Sequence, residues 1–161
     1  MGLFGCKSNE PLQVVEHVNL QKYAGKWYEI AAFPQRFQKG CQCTSAEYKL
    51  TDKNFIRVIN RCKKPDGWDQ AEGKAFVQEN TGNAKLKVQF FWPFRGKYWI
   101  IGLDDEYRWA VVGHPNREYL WILSRTKQMD ESIYNSILGM VQSKGFDTSK
   151  LKVTQHNCQT D

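Results

Sequence analysis

The sequence predicts an all-β domain: an eight-stranded antiparallel up-and-down β-barrel with one C-terminal α-helix packed outside. Three observations carry this. Eight short runs rich in β-branched and aromatic residues follow one another at even spacing, each parted from the next by a turn signal. Aromatic residues make up 14% of the chain although its mean hydropathy is −0.62, the balance of strands that are apolar on one face and polar on the other. Finally, a tryptophan stands two residues after a glycine in Gly25-Lys26-Trp27-Tyr28, where the glycine lets the chain turn in and the indole lies across a barrel end.

In chain order, residues 1–18 read as a polar tail that reaches back over the barrel and residues 19–161 as one domain, which a chain of 161 residues can fill with a sizeable core. A helical lead-in, 19–24, precedes the first strand, 27–33, which Pro34 ends because proline cannot donate to the ladder. Residues 34–40 then read as a long loop. Phe33 and Phe37 are its lid candidates, with Arg36, Lys39 and Arg95 as cations near a head group. The second and third strands, 44–50 and 55–62, flank the turn Thr51-Asp52-Lys53-Asn54. Lys64-Pro65-Asp66-Gly67 leads into the fourth, 69–77, and Asn80-Thr81-Gly82-Asn83 into the fifth, 84–92. In that strand Leu86, Val88, Phe90 and Trp92 alternate with Lys85, Lys87 and Gln89, which assigns the apolar set to a cavity. The remaining strands are 97–103, 108–113 and 118–124, and closure of all eight removes both sheet edges. Asp130 caps a helix whose Ile133, Ile137, Leu138 and Val141 form a packing stripe ended by Gly145. Residues 151–154 read as a short closing strand.

The net charge is +6, but the cations are mixed with acids, so no nucleic-acid partner is predicted. An attraction to anionic lipid head groups fits better. No stretch has the ~20 apolar residues of a membrane-spanning helix. Of the five cysteines, Cys41, Cys43, Cys62 and Cys158 read as two disulfides of an oxidising compartment. Their pairing is open at this level and includes Cys43 with Cys62 across a hairpin. A thiolate cluster with His156 is the rival, disfavoured because Cys-x-Cys is not a usual zinc spacing; no metal site is predicted. Leu3-Phe4-Gly5-Cys6 is similar to a bacterial lipobox, and the expectation is that Met1 is internal to a longer signal peptide whose cleavage leaves a lipid on Cys6.

Gly25-x-Trp27-Tyr28, Asp104-Asp105-Glu106-Tyr107 and Arg125, in that order and at barrel spacing, resemble the three motifs of the lipocalin family. The corner departs from the usual Thr-Asp-Tyr. Glu72-Gly73-Lys74-Ala75 and the run from Tyr119 to Thr126 resemble the bacterial outer-membrane and apolipoprotein D-like branch. The resemblance covers residues 19–158. It implies that Gly25, Trp27, Tyr28, Asp105, Tyr107 and Arg125 hold the fold, with the guanidinium of Arg125 stacked on the indole. It implies a Cys43–Cys158 disulfide and leaves Cys41–Cys62, a pattern similar to plastid lipocalins. For a ligand it implies Tyr48, Asn60, Phe90, Tyr98 and Trp121, to which strand periodicity adds Val58, Leu86, Val88, Trp92 and Ile100.

The function so implied is binding, storage or transport of a small hydrophobic ligand, a fatty acid or lysophospholipid, in envelope lipid maintenance. It needs no cofactor and no catalytic residue. The protein would be a monomer or weak homodimer in peripheral or lipid-anchored contact with a membrane, at the outer membrane through Cys6 or in the periplasm or outside the cell. No Gly-x-Ser-x-Gly, His-Glu-x-x-His or phosphate loop is present, and His17, His114 and His156 fall on tails or turns. The alternative is a cavity enzyme acting on an oxidised lipid or isoprenoid through a thiol at Cys62. A filled barrel that takes up no ligand is a third reading.

Overall fold

A computed structural model of the chain describes residues 10–35, 39–91 and 94–159. Its elements are α1 (Leu20–Tyr23), β1 (Gly25–Ala32), β2 (Gln42–Leu50), β3 (Ile56–Lys64), β4 (Gly67–Val77), β5 (Lys85–Phe91), β6 (Phe94–Leu103), β7 (Trp109–Gly113), β8 (Leu120–Ser124), α2 (Glu131–Ser143) and β9 (Lys152–Val153). Each strand from β2 to β7 pairs antiparallel with its successor, and β1 pairs with both β2 and β8, so eight strands close into an up-and-down barrel. The strands mostly run a residue or two beyond or short of their expected bounds. The largest gain is at the β3–β4 hairpin, where pairing continues to Lys64↔Gly67.

The edge of β1 is shared. Gly25 to Tyr28 pair with β2, and from there β2 diverges and the C-terminal segment takes its place. Val153 and Lys152 pair with Ala31 and Ala32, Thr154 N donates to Ile30 O at 2.9 Å, and Cys43 N donates to Gln155 O at 2.7 Å. Buried backbone groups of both strands are thereby satisfied across the gap. The Cys43–Cys158 disulfide fastens this insert and Cys41–Cys62 ties the mouth loop to β3, so neither Cys43–Cys62 nor a free-thiolate cluster forms. On chain entropy alone, the loops of 115 and 21 residues they close correspond to about 5 and about 3 kcal/mol.

Two apolar cores result. One fills the barrel around Trp27, Tyr48, Val58, Leu86, Ile100 and Val112. The other lies outside, where Ile137 and Val141 of α2 pack with Ile101, Val111, Ile122 and Phe146; α2 is capped by Asp130, whose carboxylate accepts from Ser132 N at 2.8 Å. Residues 10–18, the end of the polar tail, run back along the body and pack on it, a packing the sequence did not indicate. Arg117 donates to Glu10 O at 2.9 Å, Leu12 enters the outer core, Val15 N donates to Ile100 O at 3.0 Å, and Val18 is fully buried at the closed end. This strap has no periodicity to betray it, because its apolar residues serve two different cores.

The closed end is locked by one cation. Arg125 lies 3.7 Å over the centroid of Trp27 and donates to the carbonyls of Lys22 (2.6 Å), Lys26 (2.9 Å), Tyr107 (3.2 Å) and Tyr23 (3.3 Å). Trp27 Nε1 itself donates to Tyr23 O at 2.8 Å. Gly25 has φ +102°, and a Cβ there would stand 3.3 Å from the guanidinium. At the acidic corner Asp104, not the exposed Asp105, closes the turn by accepting from Arg108 N, Nε and Nη2. Tyr107 Oη accepts from Asn19 N at 2.8 Å, and Tyr28, on the outer surface, meets the edge of the His156 ring at 5.7 Å. Replacing Arg125 by Ala removes a stack and several charge-assisted bonds at once, so urea denaturation is expected to show a loss of about 3 kcal/mol, with Lys restoring little of it. A loss under about 1 kcal/mol would mean that the lock is ornamental.

Candidate functional site

Period-two alternation puts every second residue of β2 to β6 inside the barrel. Tyr48 of β2 stands opposite Val58 of β3, and Leu86 of β5 opposite Tyr98 of β6. From α1, Tyr23 reaches the same place. Tyr98 Oη donates to Tyr48 Oη at 2.9 Å and lies 2.6 Å from Tyr23 Oη. Since a phenol has one proton, Tyr23 must donate to Tyr98 and Tyr48 is left as the terminal donor.

Around these hydroxyls Leu20, Tyr23, Tyr48, Leu86, Val88 and Tyr98 enclose a void of about 10 Å³, room for at most about one water. The closed end is therefore packed. Burial pushes the Tyr48 phenol up to about 12 and holds Tyr98 and Tyr23 well above their usual range; both neighbouring phenols add to the rise at Tyr98, while at Tyr23 the Tyr48 phenol adds to it and the hydrogen bond with Tyr98 opposes it.

Toward the mouth the interior opens. Ala46, Asn60 and Ala71 are register partners across β2, β3 and β4; the first two are half-buried, and Ala71 is exposed although it shares their inward-facing row. Phe90 and Trp121 are also half-buried. Phe90 owes its seat to Gly73, where a Cβ would stand 2.8 Å from Phe90 Cδ1 and 2.6 Å from Gln89 O. The structure thus divides the candidate residues into two groups. Tyr48, Val58, Leu86, Val88, Tyr98 and Ile100 gather at the packed floor, while Asn60, Phe90 and Trp121 line the open part. Trp92, Arg36, Phe37 and Cys6 lie outside the described residues.

Three participants escaped the sequence reading. Tyr23 was taken as part of a helical lead-in, though its place four residues before Trp27 is a usable signal. Glu29, the one acid in an apolar strand, is buried on the row of Leu123. Its carboxylate accepts from Thr154 Oγ1 at 2.6 Å, and His156 Nε2 donates to its carbonyl at 2.6 Å. Gly73 carries no signal apart from its register. Cys62 faces the row of Val58 and Asn60 but is joined to Cys41, so no thiol stands there.

The lipocalin-like domain family matches residues 18–156. The outer membrane lipoprotein Blc of Escherichia coli (strain K12) is 43% identical over 150 residues, covering 90% of this chain and 85% of its own. Apolipoprotein D of Macaca fascicularis is 33% identical over 174 residues, covering 98% and 92%. Among solved structures, insecticyanin from the tobacco hornworm Manduca sexta superposes with a TM-score of 0.75 at 23% identity, covering 91% of this chain and 85% of that one, a likeness of fold alone.

The phenol relay makes two predictions. Tyr98→Phe strands the hydroxyls of both Tyr23 and Tyr48 and is expected to cost about 2–4 kcal/mol in chemical denaturation, more than the roughly 1 kcal/mol of Tyr48→Phe; equal costs would refute the relay. Because burial holds Tyr48 at about 12 in the folded state against the ordinary 10.0 of a tyrosine, the stability it contributes is complete below pH 10.0 and is lost as pH rises through 12. Absorbance titration of phenolate should show the buried tyrosines ionising together with unfolding in that interval.

Proposed function

The chain belongs to the lipocalin-like family, whose barrel holds small hydrophobic ligands, and from that premise we propose that it is a non-enzymatic carrier of single-chain lipids, fatty acids or lysophospholipids. The observation that supports this best is the graded interior: packed around Tyr48, Tyr98 and Tyr23, open around Asn60, Phe90 and Trp121. An acyl chain entering from the mouth buries methylenes against these walls at about 0.8 kcal/mol each, so about sixteen of them, roughly 13 kcal/mol in all, leave micromolar binding after an association cost of about 4 kcal/mol. The carboxyl or phosphate stays near the rim. Asn60 is the polar side chain within reach along the wall, and the Tyr48 hydroxyl is the donor at the floor. The disulfide at Cys62 argues against covalent catalysis in the cup. The printed name of the Escherichia coli relative, an outer membrane lipoprotein, supports placing this chain at the outer membrane through a lipid on Cys6, or in the periplasm, in the service of envelope lipids.

Delipidated protein titrated with a fluorescent fatty acid is expected to saturate at one site, with displacement by lysophospholipid. Trp121→Ala, which leaves the packed floor intact, should weaken binding by about tenfold, the cost of losing roughly half of a buried aromatic contact. Absence of saturable uptake, or uptake indifferent to Trp121, would defeat the proposal.

A further inference from the structure

The outer faces of β4, β5 and β6 carry a group of side chains that the cup does not use. Lys74, Lys87 and Lys97 are exposed and Lys85 is half-buried. In register Lys87 stands directly opposite Lys97, Lys85 opposite Trp99, and Phe76 opposite Lys87. Lys85 Nζ lies 4.1 Å from the centroid of Trp99 and Lys97 Nζ 5.9 Å from it. Lys74 Nζ lies 4.6 Å over Phe55, whose ring is 6.3 Å from that of Phe76.

Among the described residues, no carboxylate comes within ion-pair distance of these four lysines; Glu72, the acid on the outer face of β4, is held by Arg57 at 2.6 Å. The field extends to β7, where burial and then Lys97 lower the pKa of His114. Like charges directly opposite across an antiparallel pair destabilise it, and among the described residues no carboxylate stands between Lys87 and Lys97. The positive charge that looked dispersed along the chain is concentrated here by strand register, since it falls on alternate residues of neighbouring strands.

We infer that this face of β4, β5 and β6 docks on an anionic bilayer surface, its lysines meeting lipid phosphates while Trp99 and Phe76 enter the head-group layer. Four facts select that occupant. The charges are ammonium groups on flexible stems, suited to a fluid array of phosphates and lacking the fork that reads a fixed one. Lysines near an anionic leaflet attract it additively. Tryptophan is the side chain most at home between water and acyl chains. Finally, Trp99 is flanked by lysines, not set open as a platform on which bases would stack. The surface lies on the wall of the barrel, so changing it leaves the lining of the cup untouched.

The test is sedimentation of the full chain with vesicles of phosphatidylcholine alone and of phosphatidylcholine mixed with phosphatidylglycerol. Binding is expected to the mixed vesicles only and to fall with added salt. Lys87→Glu/Lys97→Glu should weaken it roughly 30-fold or more, and Lys87→Gln/Lys97→Gln should weaken it in the same direction should the reversal disturb folding. Quenching of tryptophan emission by brominated lipid should drop in Trp99→Phe. Uptake of a fluorescent fatty acid by the lysine variants should be unchanged, so failure of the surface and failure of the cup are read separately. Equal binding to neutral vesicles, wild-type binding by the lysine variants, or preference for single-stranded nucleic acid over the mixed vesicles would overturn the assignment.

Discussion

A closed sheet of eight strands encloses space at both ends, and what makes this one a cup is the stack of Arg125 on Trp27. The indole is fully buried and fills the bottom. The guanidinium above it answers carbonyls from α1, β1 and the β6–β7 corner, and so joins three segments at one point. Those carbonyls sit where a short helix stops and a strand begins, so without a shared donor they would have to face water through the end of the barrel. Capping them with a flat cation that also covers the ring seals the end with one side chain. The packed phenols above and Val18 beneath then need no further closure.

The opposite end is held differently. There the β1–β2 pairing lapses after Tyr28, and the wall is completed by the C-terminal segment, pinned by Cys43–Cys158 and by the hydrogen bonds of Thr154 and His156 to Glu29. A covalent clasp suits this place, because a two-stranded β9 contact is too short to persist by itself.

Much of this was legible in the residues. The alternation from Leu86 to Phe90 placed the inner face of β5, and Gly25, Trp27 and Arg125 marked the closed end because a glycine, an indole and a guanidinium have few other uses in that order. What was not legible depended on contacts distant in sequence. Tyr23 joins Tyr98 across 75 residues, and Glu29 joins Thr154 across 125; nothing local to either residue names its partner. At the corner two adjacent acids look alike in the sequence, and it is Asp104 that accepts from Arg108. The strap from Glu10 to Val18 looked like a tail since short apolar stretches without a period carry no strand or helix signal. The basic wall was hidden for the opposite reason: each strand contributes only one or two lysines, and only register gathers them.

The central claim is that the cup is shut at the tyrosines and open at Asn60, Phe90 and Trp121. A crystal structure of the protein loaded with a single-chain lipid tests it most directly. The account predicts acyl density running from the mouth between Phe90 and Trp121 and ending above the hydroxyls of Tyr48 and Tyr98. Density in the outer groove beside Phe33, Pro34 and Lys152, with the barrel interior collapsed, would contradict it.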